Sequence, residues 1–252
     1  MFPALIRALA LAWLLAGPAV AGELSAAPPF FPRPFVAGEA ALAGPVAARG
    51  ALVWLHGSYD PNNEARPDDP IWLGAVRARG YDLWHFNRPL RPDPLAVGGT
   101  GLIEGLTALR AAGYRRVVVA GFSRGAFIAL SALARPDLAD AVLAVSPAAH
   151  GRRVERHAEA LAAFAVLMQA GRTARLGLVA LRDDPWDPDP AQRAEMARAS
   201  APGRDGRLLL VDRPAGIADH MGSFSPEFAA RFGACLAAFA DGAAGGDACA
   251  GR

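Results

Sequence analysis

Lysine is absent from this chain of 252 residues: all 26 of its basic side chains are arginine, set against 24 acidic ones. That absence removes every mechanism needing an amine side chain, including Schiff-base chemistry, lysine-anchored pyridoxal phosphate, a Ser-Lys dyad and a Walker A phosphate site. Together with abundant alanine, 27 glycines and 21 prolines, the all-arginine usage reflects a GC-rich coding sequence. Net charge is also scarce. The formal value of +2, which falls by one without Arg7, gives no basic field of the kind nucleic-acid binding requires, so nucleic acid is not an expected partner. Long apolar runs are missing too. Ala8 to Ala16 is apolar, but Gly17-Pro18 interrupts it well short of the roughly 20 residues needed to cross a bilayer.

That apolar stretch follows a short Arg7-containing segment and precedes Ala19-Val20-Ala21, a small-x-small cleavage pattern. Residues 1–21 therefore read as a secretory leader removed after Ala21. The residue directly after the cleavage point is Gly22 and not a cysteine, so no lipid anchor is expected, and the mature chain is expected to be periplasmic or secreted with no stable membrane anchor. The remainder divides into a Pro-rich arm with possible short edge strands (22–49), one α/β domain (50–242) and a tail (243–252). The prolines of Ala26 to Pro34 forbid a helix or central strand and favour an extended arm on the surface.

Cysteine is nearly absent as well, with two residues, Cys235 and Cys249. In an exported chain they could form a disulfide that pins the tail. Cys235 also falls on the apolar stripe of Phe228, Phe232, Leu236 and Phe239, where a thiol can simply be buried. Only geometry decides between the two. Neither cysteine is placed for catalysis or metal binding.

From residue 50 onward, six apolar strand-like runs (51–55, 82–86, 116–120, 141–145, 176–181 and 207–212) alternate with helical patterns near 70–79, 101–112, 124–134, 153–170, 190–199 and 226–240. Strict alternation predicts an α/β fold with a mostly parallel sheet of six or more strands, helices on both faces and right-handed crossovers. Ligands are expected at the carboxyl ends of the strands.

One junction stands out. The run Val117 to Ala120 stops at Gly121-Phe122-Ser123-Arg124-Gly125, and a helical pattern begins at once. A serine on so tight a strand-to-helix corner needs small residues two positions before and after it, and Gly121 and Gly125 supply them. This Gly-x-Ser-x-Gly spacing resembles the nucleophile elbow of the α/β-hydrolase superfamily. Ser123 is the nucleophile that the resemblance implies, with the backbone amide of Arg124 as one oxyanion donor.

The resemblance extends along most of the mature chain. His56-Gly57-Ser58 follows the first clear strand, where the superfamily places its oxyanion loop, so the Ser58 amide is implied as the second donor. The family order then calls for an acid and a histidine after later strands. Arg182-Asp183-Asp184-Pro185-Trp186-Asp187-Pro188-Asp189 follows one, and Asp219-His220-Met221-Gly222 lies beyond the last. The residues themselves leave the acid open among Asp183, Asp184 and Asp187; the resemblance favours Asp184, because Asp-Pro just past a strand end is common in similar enzymes. Asp189, before Pro190, suits a helix cap. Such an acidic cluster could chelate calcium, but the EF-hand pattern with its central glycine is missing here and in Asp60-Pro61-Asn62-Asn63-Glu64, and no metal or cofactor is expected.

For the histidine, His220 is favoured by position. His85 lies inside a strand, His157 on a helix face, and His56 precedes the nucleophile, whereas His150 sits in a loop at the correct sheet end but before the acid. The expectation is an exported serine hydrolase acting on a small-molecule carboxylic ester or related acyl substrate, with little or no cap domain. A peptidase or thioesterase with the same triad, or a non-catalytic binding protein on the same fold, are the alternatives. Arg88, Arg91, Arg124, Arg182 and Arg213 near strand ends also admit an anionic substrate.

Overall fold

In a computed structural model of the chain, the described residues are 30–32, 42–58, 69–86, 88, 94–150, 153–171, 174–204, 206–243 and 249. The expected leader at 1–21, the acidic stretch at 60–64 and Arg91 lie outside them.

Continuous apolar runs become strands because both of their faces are covered. Strands β2 (Gly50–Leu55), β3 (Tyr81–Phe86), β4 (Val117–Phe122), β5 (Ala141–Val145), β6 (Leu176–Ala180) and β7 (Leu208–Asp212) are mutually parallel. A short strand β1 (Phe30–Pro32) adds antiparallel to β3, giving the order β1-β3-β2-β4-β5-β6-β7. Proline is tolerated there because β1 lies at the edge of the sheet, where one side of the strand has no neighbouring strand to bond.

Side chains on a strand alternate between faces, and the two halves of the core follow that alternation. Val53, Leu55, Val117 and Val119 meet helices α3 (Leu95–Ala111), α4 (Arg124–Ala129), α5 (His157–Ala170) and α6 (Pro190–Ala199) on one side. Leu52, Trp54, Val118 and Ala120 meet α2 (Leu73–Arg77) and α7 (Pro226–Ala240) on the other. The expected layered α/β architecture is thus present, and the connection from β5 to β6 holds α5 in place of a cap domain.

Two local expectations change. The described part of 35–49 contains a helical turn, α1 (Gly44–Ala47), and not an edge strand. Its entry is capped from afar: the buried Asp82 carboxylate accepts from the amides of Ala43 (2.8 Å) and Gly44 (2.9 Å), and Gly44 takes φ +81°. Helix α3 begins at Leu95, earlier than its glycine-diluted sequence predicts. Those glycines admit a neighbour, since a Cβ on Gly98 would sit 2.8 Å from the Ile128 side chain of α4.

Cys235 and Cys249 are joined in a disulfide, with Cα atoms 6.0 Å apart, and Cys249 is fully buried beside α7. Among the described residues no helix is long and apolar enough to cross a membrane.

Candidate active site

The corner at Ser123 is strained, and its neighbours hold it. Ser123 has φ +54° and ψ −123°, a conformation that costs a non-glycine residue about 1–3 kcal/mol and persists only where the surroundings enforce it. Its amide donates to the Val145 carbonyl (3.0 Å), continuing the sheet, while its carbonyl accepts from Phe127 (3.1 Å) and Ala148 (3.1 Å). A Cβ on Gly121 would lie 2.5 Å from the Gly125 carbonyl oxygen, and one on Gly125 would collide with the carbonyls of Leu55 and His56. The glycines therefore let β2, β4 and α4 meet at backbone distance. Arg124 is the first residue of α4, a position whose amide has no acceptor within its own helix.

All five non-glycine residues with positive φ among those described lie beyond carboxyl ends of strands: Ser123, Ser146, Asp183, Arg213 and Asp219. Strain is concentrated on the edge where ligands bind in this architecture.

Asp184 and His220 meet there. The imidazole Nδ1 lies 2.7 Å and 2.9 Å from the two Asp184 carboxylate oxygens, and both side chains are buried. Asp184 Oδ1 also accepts from the amides of Trp186 (2.8 Å) and Asp187 (3.2 Å), which fixes the carboxylate. His220 opens a 3₁₀ helix, His220–Phe224, whose first amide is capped by the Asp219 carboxylate. Beyond the strand ends the two loops stay paired: Arg182 bridges Ala218, the Asp219 amide donates to the Arg182 carbonyl (2.9 Å), and the Arg182 guanidinium donates to the Arg213 carbonyl (2.7 Å). The imidazole packs on Phe122, with ring centroids 4.6 Å apart, and Phe122 directly precedes Ser123. Trp186 covers it from the loop side at 5.7 Å.

The other acids have different partners. Asp187 is buried and paired with Arg193 (2.5 Å), whose guanidinium lies over the rings of Phe164 and Phe127. Burial pushes the Asp187 carboxyl up to about 6, Arg193 opposes the rise, and the nearby Asp184 adds to it. Asp183 is exposed, and Asp189 stands at the N-cap of α6 without a side-chain capping bond. Among the histidines, His85 pairs with Asp69 (2.9 Å), and His150 lies 3.4 Å from Glu159. Burial, and after it Arg156, hold the His150 imidazole below its ordinary value.

His56-Gly57-Ser58 runs along the elbow, since Leu55 is in register with Gly121 and a Cβ on Gly57 would touch the Ser123 Cβ at 3.2 Å. The structure thus brings Ser58, Ser123 and Arg124 together on neighbouring strand ends and joins Asp184 to His220 beside them. Arginines noted near the strand ends engage the protein itself: Arg124 donates to the Ala149 carbonyl (2.7 Å), Arg213 to Asp212 (2.7 Å), and Arg88 to the carbonyls of His56 and Gly57. Trp186, Phe122 and the Asp187–Arg193 pair carry no sequence signal for these roles, because each contact joins segments distant in the chain or turned by a loop.

The sequence matches no protein-family model. No curated protein is significantly similar to it in sequence. Solved structures are similar in fold. The Pyrococcus furiosus esterase Pf2001 has TM-score 0.55 and 15% identity, covering 78% of this chain and 84% of its own. Brefeldin A esterase, described as a bacterial homologue of human hormone-sensitive lipase, has TM-score 0.53 and 16% identity over 77% of this chain and 69% of its own. The Pyrococcus horikoshii acylaminoacyl peptidase has TM-score 0.56 and 14% identity over 79% of this chain and 38% of its own. At such identities the likeness is one of fold, and it agrees with the sheet order, the corner at Ser123 and the placement of the loops: this chain has the α/β-hydrolase fold.

Proposed function

We propose that the chain is an exported serine hydrolase that cleaves carboxylic esters through Ser123, His220 and Asp184. The observation that carries the reading is the buried Asp184–His220 hydrogen bond packed against Phe122, at the foot of the strained Ser123 corner. A serine hydroxyl is a weak nucleophile until a base takes its proton. Here Asp184 accepts from Nδ1, which leaves Nε2, across the ring, to act as the base. Ser123 Oγ attacks the acyl carbonyl, and the proton passes to His220. Asp184 stabilises the imidazolium, and the amides of Arg124 and Ser58 receive the charge on the carbonyl oxygen. His220 then protonates the departing alcohol, and water releases the acyl group by the same steps.

Several features support an ester of modest size. The β5–β6 connection is occupied by α5, and the partly exposed Trp186 ring lies against His220, an apolar surface suited to an uncharged acyl or alcohol group. Support for export comes from the leader-like residues 1–21 and from the Cys235–Cys249 disulfide, a bond that persists in oxidising compartments.

The test is steady-state hydrolysis of p-nitrophenyl esters by the purified chain and by Ser123→Ala. The proposal predicts turnover by the parent and a loss of about 10⁴-fold or more in the variant with its fold intact. Equal turnover by the two proteins would end it.

A further inference from the structure

Arg88, in the segment after β3, is buried, with 4% of its surface exposed, and its guanidinium reaches two backbone carbonyls of the neighbouring loop. Nη2 donates to the His56 carbonyl and, at 3.2 Å, to the Gly57 carbonyl. The Gly57 carbonyl has a second neighbour, His56 Nδ1 at 2.6 Å, a contact that places the ring proton on Nδ1. With the proton there, the 3.2 Å approach of Arg88 Nη2 to the same nitrogen is proximity and not a hydrogen bond.

We propose that Arg88 is a positioning residue for the oxyanion site: it grips the Gly57 carbonyl from behind and thereby aims the Ser58 amide at the reacting oxygen. This inference rests on the serine-hydrolase reading. A peptide unit is planar and trans, so its C=O and N–H point in opposite directions. The Gly57 carbonyl and the Ser58 amide belong to one such unit, and holding the oxygen fixes the hydrogen. Both lone pairs of that oxygen are engaged, one by Arg88 and one by His56. Glycine at position 57 makes such a hold necessary: it has wide conformational freedom, and a side chain there would touch Phe122 and Ser123 at 3.1 and 3.2 Å. Both bonds come from one guanidinium nitrogen, Nη2, whose two N–H groups serve the two carbonyls; a glutamine carries a similar NH2 group on a shorter side chain that does not extend as far from the same backbone position.

The experiment compares the parent with Arg88→Gln and Arg88→Lys in the full chain. It measures kcat and KM for a p-nitrophenyl ester and inhibition by a trifluoromethyl ketone, whose adduct carries an oxyanion on a tetrahedral carbon. Arg88→Gln is expected to lower kcat by about tenfold to a hundredfold, to weaken the ketone by a similar factor, and to leave KM within about threefold. Arg88→Lys should fall between the two. A purely structural arginine would not link kcat to ketone affinity in this way. Values of kcat and ketone affinity within twofold of the parent in a folded Arg88→Gln overturn the inference, and so does a fall in kcat with ketone affinity unchanged. Should Arg88→Gln fail to fold, the same two results in Arg88→Lys decide. A parent that neither turns over esters nor binds the ketone overturns the hydrolase reading and this inference with it; an active parent with unaffected variants removes this inference alone.

Discussion

His220 Nδ1 sits 2.7 Å from an Asp184 carboxylate oxygen, while Asp187, three residues further along the same loop, is turned to Arg193 at 2.5 Å. One acidic cluster is thus divided between two tasks by the partners that reach it. Asp184→Asn is expected to lower kcat by about 10³–10⁴-fold, because an amide cannot hold the imidazole in the same tautomer or stabilise its cation. Asp183→Asn, at an exposed position, should leave kcat within about twofold. Steady-state kinetics on the two variants separate the assignments.

Asp187 ties stability to pH. Its carboxyl is raised to about 6 from an ordinary 3.8, chiefly by burial. The folded protein therefore binds a proton there that the unfolded chain has already released. The contribution is fully present below about pH 3.8 and is lost as pH rises through about 6. Relative to Asp187→Asn, the parent should lose up to about 3 kcal/mol of stability over that window and change little above it. Denaturant unfolding of both proteins at several pH values measures the difference.

Trp186 lies against the His220 ring at 5.7 Å and is 38% exposed. Trp186→Ala opens the imidazole to water and frees its orientation, with an expected fall in kcat of about tenfold. Because the indole is partly exposed, unfolding free energy should change by only about 1 kcal/mol. Kinetics and denaturation on one preparation test both parts.

Gly125 at the corner and Gly99 in α3 should respond oppositely to alanine. Gly125→Ala drives a methyl into backbone carbonyls that cannot move aside, at an expected cost of about 3 kcal/mol or more. Gly99→Ala meets Ser131 Oγ at 3.4 Å, an ordinary contact, and gains helix propensity of up to about 1 kcal/mol. Urea midpoints distinguish them.

The layered architecture was readable because β2, β4, β5 and β6 are unbroken apolar runs buried on both faces, and the glycines at 121 and 125 mark a backbone crossing visible at fixed spacing. Other features depend on partners remote in sequence. The helical turn at Gly44 is capped by Asp82, and the first turns of α3 survive their glycines because α4 packs against them. Choosing Asp184 over Asp187 from the residues alone needed Arg193, which nothing in the local pattern connects to the loop. Arg88 was one arginine among several until the fold placed it behind Gly57.

The most direct measurement of the central claim is covalent capture by a fluorophosphonate, with the modified residue located by peptide mass spectrometry. One adduct is expected, on Ser123, formed by the parent, slowed strongly in His220→Ala and absent from Ser123→Ala. An adduct on another residue, or labelling that persists at the parent rate in Ser123→Ala, would contradict it.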